Sequence, residues 1–163
     1  MKSILITGGA GYIGSHTCIL LLKSGYKIFI LDSLHNSSIE AIYRVKEIAK
    51  NEKISSESQI LFFKGDIRNI NDIDKVFKLA KDKGTPIDSV IHFAGLKSVK
   101  DSTSHPLDYW DVNVNGTLQL LNAMKKNNCY RIIFSSSATI YGNAEKVPIR
   151  ENAKIMPQNP YGF

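Results

Sequence analysis

The feature that most restricts how this chain can fold is a short apolar run that breaks into a cluster of glycines and then resumes at helical spacing. Ser3-Ile4-Leu5-Ile6 reads as a buried strand, Gly8-Gly9-Ala10-Gly11-Tyr12-Ile13-Gly14 follows it, and Tyr12 to Lys23 reads as a helix stopped by Gly25. Lys27-Ile28-Phe29-Ile30-Leu31 supplies a second strand and completes a βαβ unit. The glycines satisfy G-x-G-x-x-G from Gly9 and G-x-x-G-x-x-G from Gly8. A β-carbon at such a strand-to-helix turn would block the bend or hold the backbone away from a pyrophosphate, while the helix start offers free N–H groups and a partial positive charge. Asp32 closes the second strand, where a carboxylate accepts hydrogen bonds from both hydroxyls of an adenosine ribose; a helix cap or a solvated loop residue is the alternative. No arginine accompanies Asp32 to neutralise a 2′-phosphate, so the pattern favours NAD over NADP.

The remaining apolar segments alternate in the same way, which predicts an α/β domain built on a doubly wound, Rossmann-like parallel sheet. Helical stretches are expected over Ile39 to Lys50, Ile73 to Lys83 and Asp111 to Lys125. Strands are expected at Ile60-Leu61-Phe62-Phe63, Ser89-Val90-Ile91-His92-Phe93 and Arg131-Ile132-Ile133-Phe134. In such a sheet the ligand crevice lies at the carboxyl ends of the strands, so function belongs in the residues that follow each strand. His92, within a strand, and His16, on the first helix, lack metal-ligand company and read as structural, with no metal site expected. Tyr109 and Trp110 read as core or crevice wall.

With 163 residues, 43% of them hydrophobic, the chain has enough apolar surface for one core without disulfide staples. Its two cysteines, Cys18 and Cys129, lie far apart, and the opening apolar run is too short for a secretory segment, which points to a reduced, cytoplasmic location without membrane association. The net charge of +6 is spread over scattered lysines, a solvated surface rather than a nucleic-acid footprint. The stretch from Asn143 to Phe163 carries Pro148, Pro157 and Pro160 without helical or strand period and reads as irregular surface chain. Five strands make only part of a doubly wound sheet, incomplete at its C-terminal end. The expectation is one NAD-binding domain over residues 1–163, the amino-terminal piece of a longer protein whose substrate domain lies elsewhere.

Thr7-Gly8-Gly9-Ala10-Gly11-Tyr12-Ile13-Gly14-Ser15-His16 resembles the opening of an extended short-chain dehydrogenase/reductase. Gly65-Asp66-Ile67-Arg68, His92-Phe93-Ala94-Gly95-Leu96-Lys97, Asn113-Val114-Asn115-Gly116-Thr117, Phe134-Ser135-Ser136-Ser137-Ala138-Thr139-Ile140-Tyr141-Gly142 and Pro160-Tyr161-Gly162 resemble, in order and spacing, the UDP-glucose 4-epimerase family of galactose metabolism. The resemblance runs through the whole chain. It implies an isomerase that oxidises a UDP-hexose at C4 with NAD, lets the keto sugar rotate and returns the hydride, interconverting UDP-galactose and UDP-glucose in a homodimeric parent.

The resemblance also implies residue roles. Gly8, Gly11, Tyr12, Ile13 and Gly14 would present backbone to the pyrophosphate, the alternative for Tyr12 and Ile13 being that their side chains simply pack. Asp32 and the loop Ser33, Leu34, His35, Asn36 and Ser37 would hold the adenosine ribose side. Asp66 and Ile67 would meet the adenine, unless Asp66 is a turn residue. Phe93, Ala94, Gly95 and Leu96 would wrap the cofactor, with Lys97 a cation beside it and the substrate, or else a surface charge. Asn113 would hold the loop or the cofactor, or bond local backbone. Ser137 would hydrogen-bond the sugar 4-hydroxyl, or else cap the strand end, and Tyr161 would act as its base, both touching cofactor and substrate. A lysine four residues after the tyrosine lowers its pKa in the family; Phe163 ends this chain before that position, so the 163 residues alone are expected to lack turnover.

Two rivals remain. A nucleotide-sugar 4,6-dehydratase needs an acid/base pair after the serine position, where this chain has Ala138-Thr139-Ile140. A non-catalytic dinucleotide-binding module would use the same sheet without chemistry.

Overall fold

The computed structural model describes residues 1–54 and 59–163. Among the described residues five strands, β1 (Ser3–Thr7), β2 (Lys27–Asp32), β3 (Ile60–Lys64), β4 (Ser89–His92) and β5 (Ile132–Phe134), form one all-parallel sheet in the order β3-β2-β1-β4-β5. The helices are α1 (Tyr12–Lys23), α2 (Ile39–Asn51), α3 (Ile70–Asp82), α4 (Val99–Ser104), α5 (Pro106–Tyr109) and α6 (Gly116–Lys126).

Strand residues alternate between two faces, so the sheet carries a core on each side. Leu5, Phe29, Leu31 and Val90 pack with Ile73, Val76 and Phe77 of α3 and Leu120 and Ala123 of α6. Ile4, Ile6, Ile28, Ile30 and Ile91 pack with Cys18 and Leu22 of α1 and Ile42, Val45 and Ala49 of α2. Each fully buried Leu, Ile, Val or Phe contributes about 1.5–3 kcal/mol, which makes this three-layer stack the source of stability. The strand order reverses between β1 and β4, placing the crevice at their carboxyl ends as expected of a doubly wound sheet.

Beyond shifts of one or two residues at element ends, three features differ from the sequence reading. The third helix starts at Ile70, because Asn69 accepts from the Asn71 N–H and caps it there. The stretch expected as one helix from Asp111 is a π-helical turn, Trp110–Asn115, running into α6 at Gly116. The short helices α4 and α5 were not expected; Ser98 caps the first and Pro106 opens the second. Residues 143–163 carry no helix or strand. Among the described residues no helix is long and apolar enough to cross a membrane.

Candidate functional site

The loop after β1 crosses the sheet where the strand order reverses. The Gly8 N–H donates to the Leu31 carbonyl at 2.9 Å, and the Phe93 N–H donates to the Thr7 carbonyl at 3.0 Å, so three strand ends are tied together. Gly8 has φ +71°, and a β-carbon on it would lie 2.6 Å from the Ala94 nitrogen. Only glycine fits both demands. A β-carbon on Gly14 would overlap the Gly8 carbonyl, so the first turn of α1 sits directly on the loop. Ser38, Asn69 and Ser98 cap α2, α3 and α4 with side chains, whereas α1 starts at Gly11 with no side-chain cap. Ser15 is the first residue of α1 to donate back into the helix, to Gly11, which leaves the Tyr12, Ile13 and Gly14 N–H groups facing outward from its positive end. The side chains of Tyr12 and Ile13 are 78% and 57% exposed, and the Tyr12 ring meets His16 edge-on, centroids 4.9 Å apart.

Asp32 is buried and organises the neighbouring loops. Its Oδ2 accepts from the Ala10 N–H at 2.9 Å, and its Oδ1 accepts from the Leu34 N–H at 2.9 Å and the Ser37 hydroxyl at 2.8 Å. These bonds hold Leu34 in a left-handed conformation, φ 60°, and the Ser33 hydroxyl accepts from the His35 N–H. Ser33, His35 and Asn36 are exposed around the carboxylate.

Beyond β3, Asp66 is engaged by a partner that the sequence reading missed. Arg68 donates from Nε to both carboxylate oxygens and from Nη2 to Oδ2 at 2.7 Å, while its Nη1 reaches Asp111 at 2.9 Å. The guanidinium holds the Asp66 carboxyl below the usual carboxylate range, against a smaller opposing effect of burial. Ile67 turns inward: it is 5% exposed and packs on Gly116, so a ligand here meets its backbone.

The loop after β4 is clamped by the π-helical turn. The Asn113 amide donates to the Leu96 carbonyl and accepts from the Leu96 N–H, both at 2.8 Å, an exact match of one side-chain amide to one peptide unit. Gly95 fits beneath it, since a β-carbon there would lie 3.1 Å from Asn113 Oδ1. Of the three readings left open for Asn113, these bonds show it holding the loop. Phe93 and Ala94 are half-buried, and Lys97 is exposed at the loop's end.

Ser137 follows β5 and caps the 3₁₀ turn Ala138–Tyr141, its hydroxyl oxygen accepting from the Thr139 N–H at 3.2 Å and the Thr139 hydroxyl at 2.9 Å. Its own hydroxyl hydrogen remains to donate elsewhere. The chain returns to this turn at its far end: the Met156 N–H donates to the Ile140 carbonyl, and a β-carbon on Gly162 would lie 2.9 Å from the Thr139 carbonyl. That packing returns the segment carrying Tyr161 to the turn that Ser137 caps. The Tyr161 ring stands edge-on to buried Tyr109, centroids 6.1 Å apart.

Residues 5–163 match the family described as GDP-mannose 4,6 dehydratase. The chain is 48% identical to a UDP-glucose 4-epimerase of Bacillus subtilis (strain 168) over 98% of its own length and 44% of that protein's. It superimposes on the UDP-glucose 4-epimerase of Stenotrophomonas maltophila with bound NAD at a TM-score of 0.87 with 39% identity, and on that of Bifidobacterium longum in complex with NAD+ and UDP at 0.86 with 41% identity. Both alignments cover 99% of this chain and 45% of the other. The chain thus spans under half the length of the proteins it matches, and by its family match over residues 5–163 it belongs to the GDP-mannose 4,6 dehydratase family, resembling within it the UDP-glucose 4-epimerases.

Proposed function

We propose that this chain is the NAD-binding part of a UDP-glucose 4-epimerase that interconverts UDP-galactose and UDP-glucose. The observation that supports this reading is the packing of Gly162 on the Thr139 carbonyl, which returns the segment holding Tyr161 to the turn capped by Ser137, beyond β5 and at the same carboxyl end of the sheet as the glycine loop. A plain dinucleotide-binding module has no use for that pair.

The residues fit a dinucleotide. The backbone cradle at Gly8 and Gly14 excludes any β-carbon, and the outward N–H groups of Tyr12, Ile13 and Gly14 suit a pyrophosphate. Gly11 keeps that helix start open. Asp32 suits ribose hydroxyls and opposes a 2′-phosphate, with Ser33, Leu34, His35, Asn36 and Ser37 around it. Asp66, held ionised by Arg68, suits the adenine amine, with the Ile67 backbone beside it. Phe93, Ala94, Gly95 and Leu96 line the other half, with Asn113 fixing them. Bound there, NAD would take a hydride from the sugar C4 and give it back.

The chain's own work is to hold and move the proton of the 4-hydroxyl. Tyr161 takes it, Ser137 supports the transfer by donating its free hydroxyl hydrogen, and Lys97 places a positive charge near sugar and cofactor. A 4,6-dehydratase reading is supported by the family's description, but Ala138, Thr139 and Ile140 offer no carboxylate for elimination. Turnover belongs to the complete protein, a cytoplasmic homodimer. The test is UDP-galactose conversion by that protein with and without Tyr161→Phe: general acid–base loss predicts a rate lower by about 10²–10⁴-fold. A Tyr161→Phe protein at the normal rate contradicts the assignment.

A further inference from the structure

His92 is a titratable side chain that the proposed chemistry does not use. It is 1% exposed at the end of β4, and both ring nitrogens meet threonine hydroxyls: Nδ1 lies 2.5 Å from Thr7 Oγ1 and Nε2 lies 2.9 Å from Thr117 Oγ1. The direction of each bond follows from the next. Thr117 donates its single hydroxyl hydrogen to the Asn113 carbonyl at 2.6 Å. Its oxygen must therefore accept from His92, which puts the ring hydrogen on Nε2. Nδ1 is then a bare acceptor and Thr7 donates to it. The Thr7 oxygen in turn faces the Ala94 N–H at 3.5 Å. The sequence of bonds runs from Ala94 through Thr7, His92 and Thr117 to the Asn113 carbonyl, and the Asn113 side chain closes the circuit on Leu96.

We propose that His92, fixed as the Nε2–H tautomer, is a positioning residue that locks the Ala94–Lys97 loop in one conformation between the glycine loop and the π-helical turn. Its consequence for NAD rests on the function proposed above. A threonine on each side lets one ring nitrogen donate and the other accept while anchoring two different elements, β1 and α6. Burial reinforces the neutral ring, and the groups against it are Thr7, Thr117 and the Phe134 ring, centroids 5.6 Å apart, none of them charged.

The experiment uses this chain with Thr117→Val, which removes the acceptor for Nε2–H at almost constant volume, and Thr117→Ser, which restores it. Three readouts are taken: the ring-nitrogen NMR signature of His92, amide exchange at Ala94 and Leu96, and NAD affinity by calorimetry. We expect the Nε2–H tautomer in the parent chain, exchange about tenfold faster and NAD binding about tenfold weaker in Thr117→Val, and return toward parent values in Thr117→Ser. An Nδ1–H tautomer in the parent chain overturns the proposal, as does exchange at Ala94 and Leu96 that Thr117→Val leaves unchanged. If the parent chain binds no NAD, the cofactor reading fails, and faster exchange in Thr117→Val still supports the lock.

Discussion

The Tyr109 hydroxyl accepts a hydrogen bond from the Ser98 N–H at 3.0 Å while its ring meets Tyr161 edge-on at 66°. One buried side chain thus joins the start of α4, just past Lys97, to Tyr161. Tyr109→Phe keeps the ring and leaves a part-buried N–H unpaired, so it should cost about 1–3 kcal/mol. Tyr109→Ala empties the space as well and should cost about 3–5 kcal/mol, read by urea unfolding. Equal costs for the two would mean that the ring carries nothing.

Gly8 and Gly25 share a left-handed backbone, φ +71° and +78°, but differ in surroundings: a β-carbon on Gly8 meets the Ala94 backbone and one on Gly25 meets nothing. Gly25→Ala should cost only the conformational strain, on the order of 1 kcal/mol, whereas Gly8→Ala should cost about 2 kcal/mol more and weaken NAD binding. Thermal unfolding of both variants checks this, and similar losses would show that the glycine loop is less tightly packed against β4 than its geometry requires.

Much of this arrangement was legible in the sequence because its signals are local. The glycine cluster, the alternation of Leu5, Phe29 and Leu31 against Ile4, Ile6, Ile28 and Ile30, and Asp32 at a strand end each carry their meaning within a few residues. The π-helical turn was not legible, since a register of one extra residue per turn leaves no compositional mark, and it is what aims Asn113 at Leu96. Arg68 carried no role in the sequence reading; it pairs with Asp66 two residues away and with Asp111, which lies on that turn. His92 read as structural for want of metal-ligand company, but its partners were not legible, because Thr7 and Thr117 come together only through the sheet and α6.

Burial pushes the His92 ring down to about 4, below its ordinary 6.5. The unfolded chain therefore takes up a proton that the folded chain refuses, and stability should be fully present above pH 6.5 and fall as the pH drops toward about 4. The loss accumulated across that window is on the order of 3 kcal/mol. Urea unfolding at pH 7 and pH 5 should show the decline in the parent chain and a flatter profile in His92→Gln. An equal slope in both would place the titration on another group.

The central claim is that the strand-end surface between the glycine loop and Asp32 binds NAD. Calorimetric titration of this chain with NAD and NADP, with and without Asp32→Ala, tests it most directly. The account predicts that NAD binds, that NADP binds at least about tenfold more weakly because its 2′-phosphate meets the carboxylate, and that Asp32→Ala loses about 1.5–3 kcal/mol of NAD affinity, roughly 10- to 150-fold. Tighter or equal binding of NADP, or NAD affinity untouched by Asp32→Ala, would contradict it.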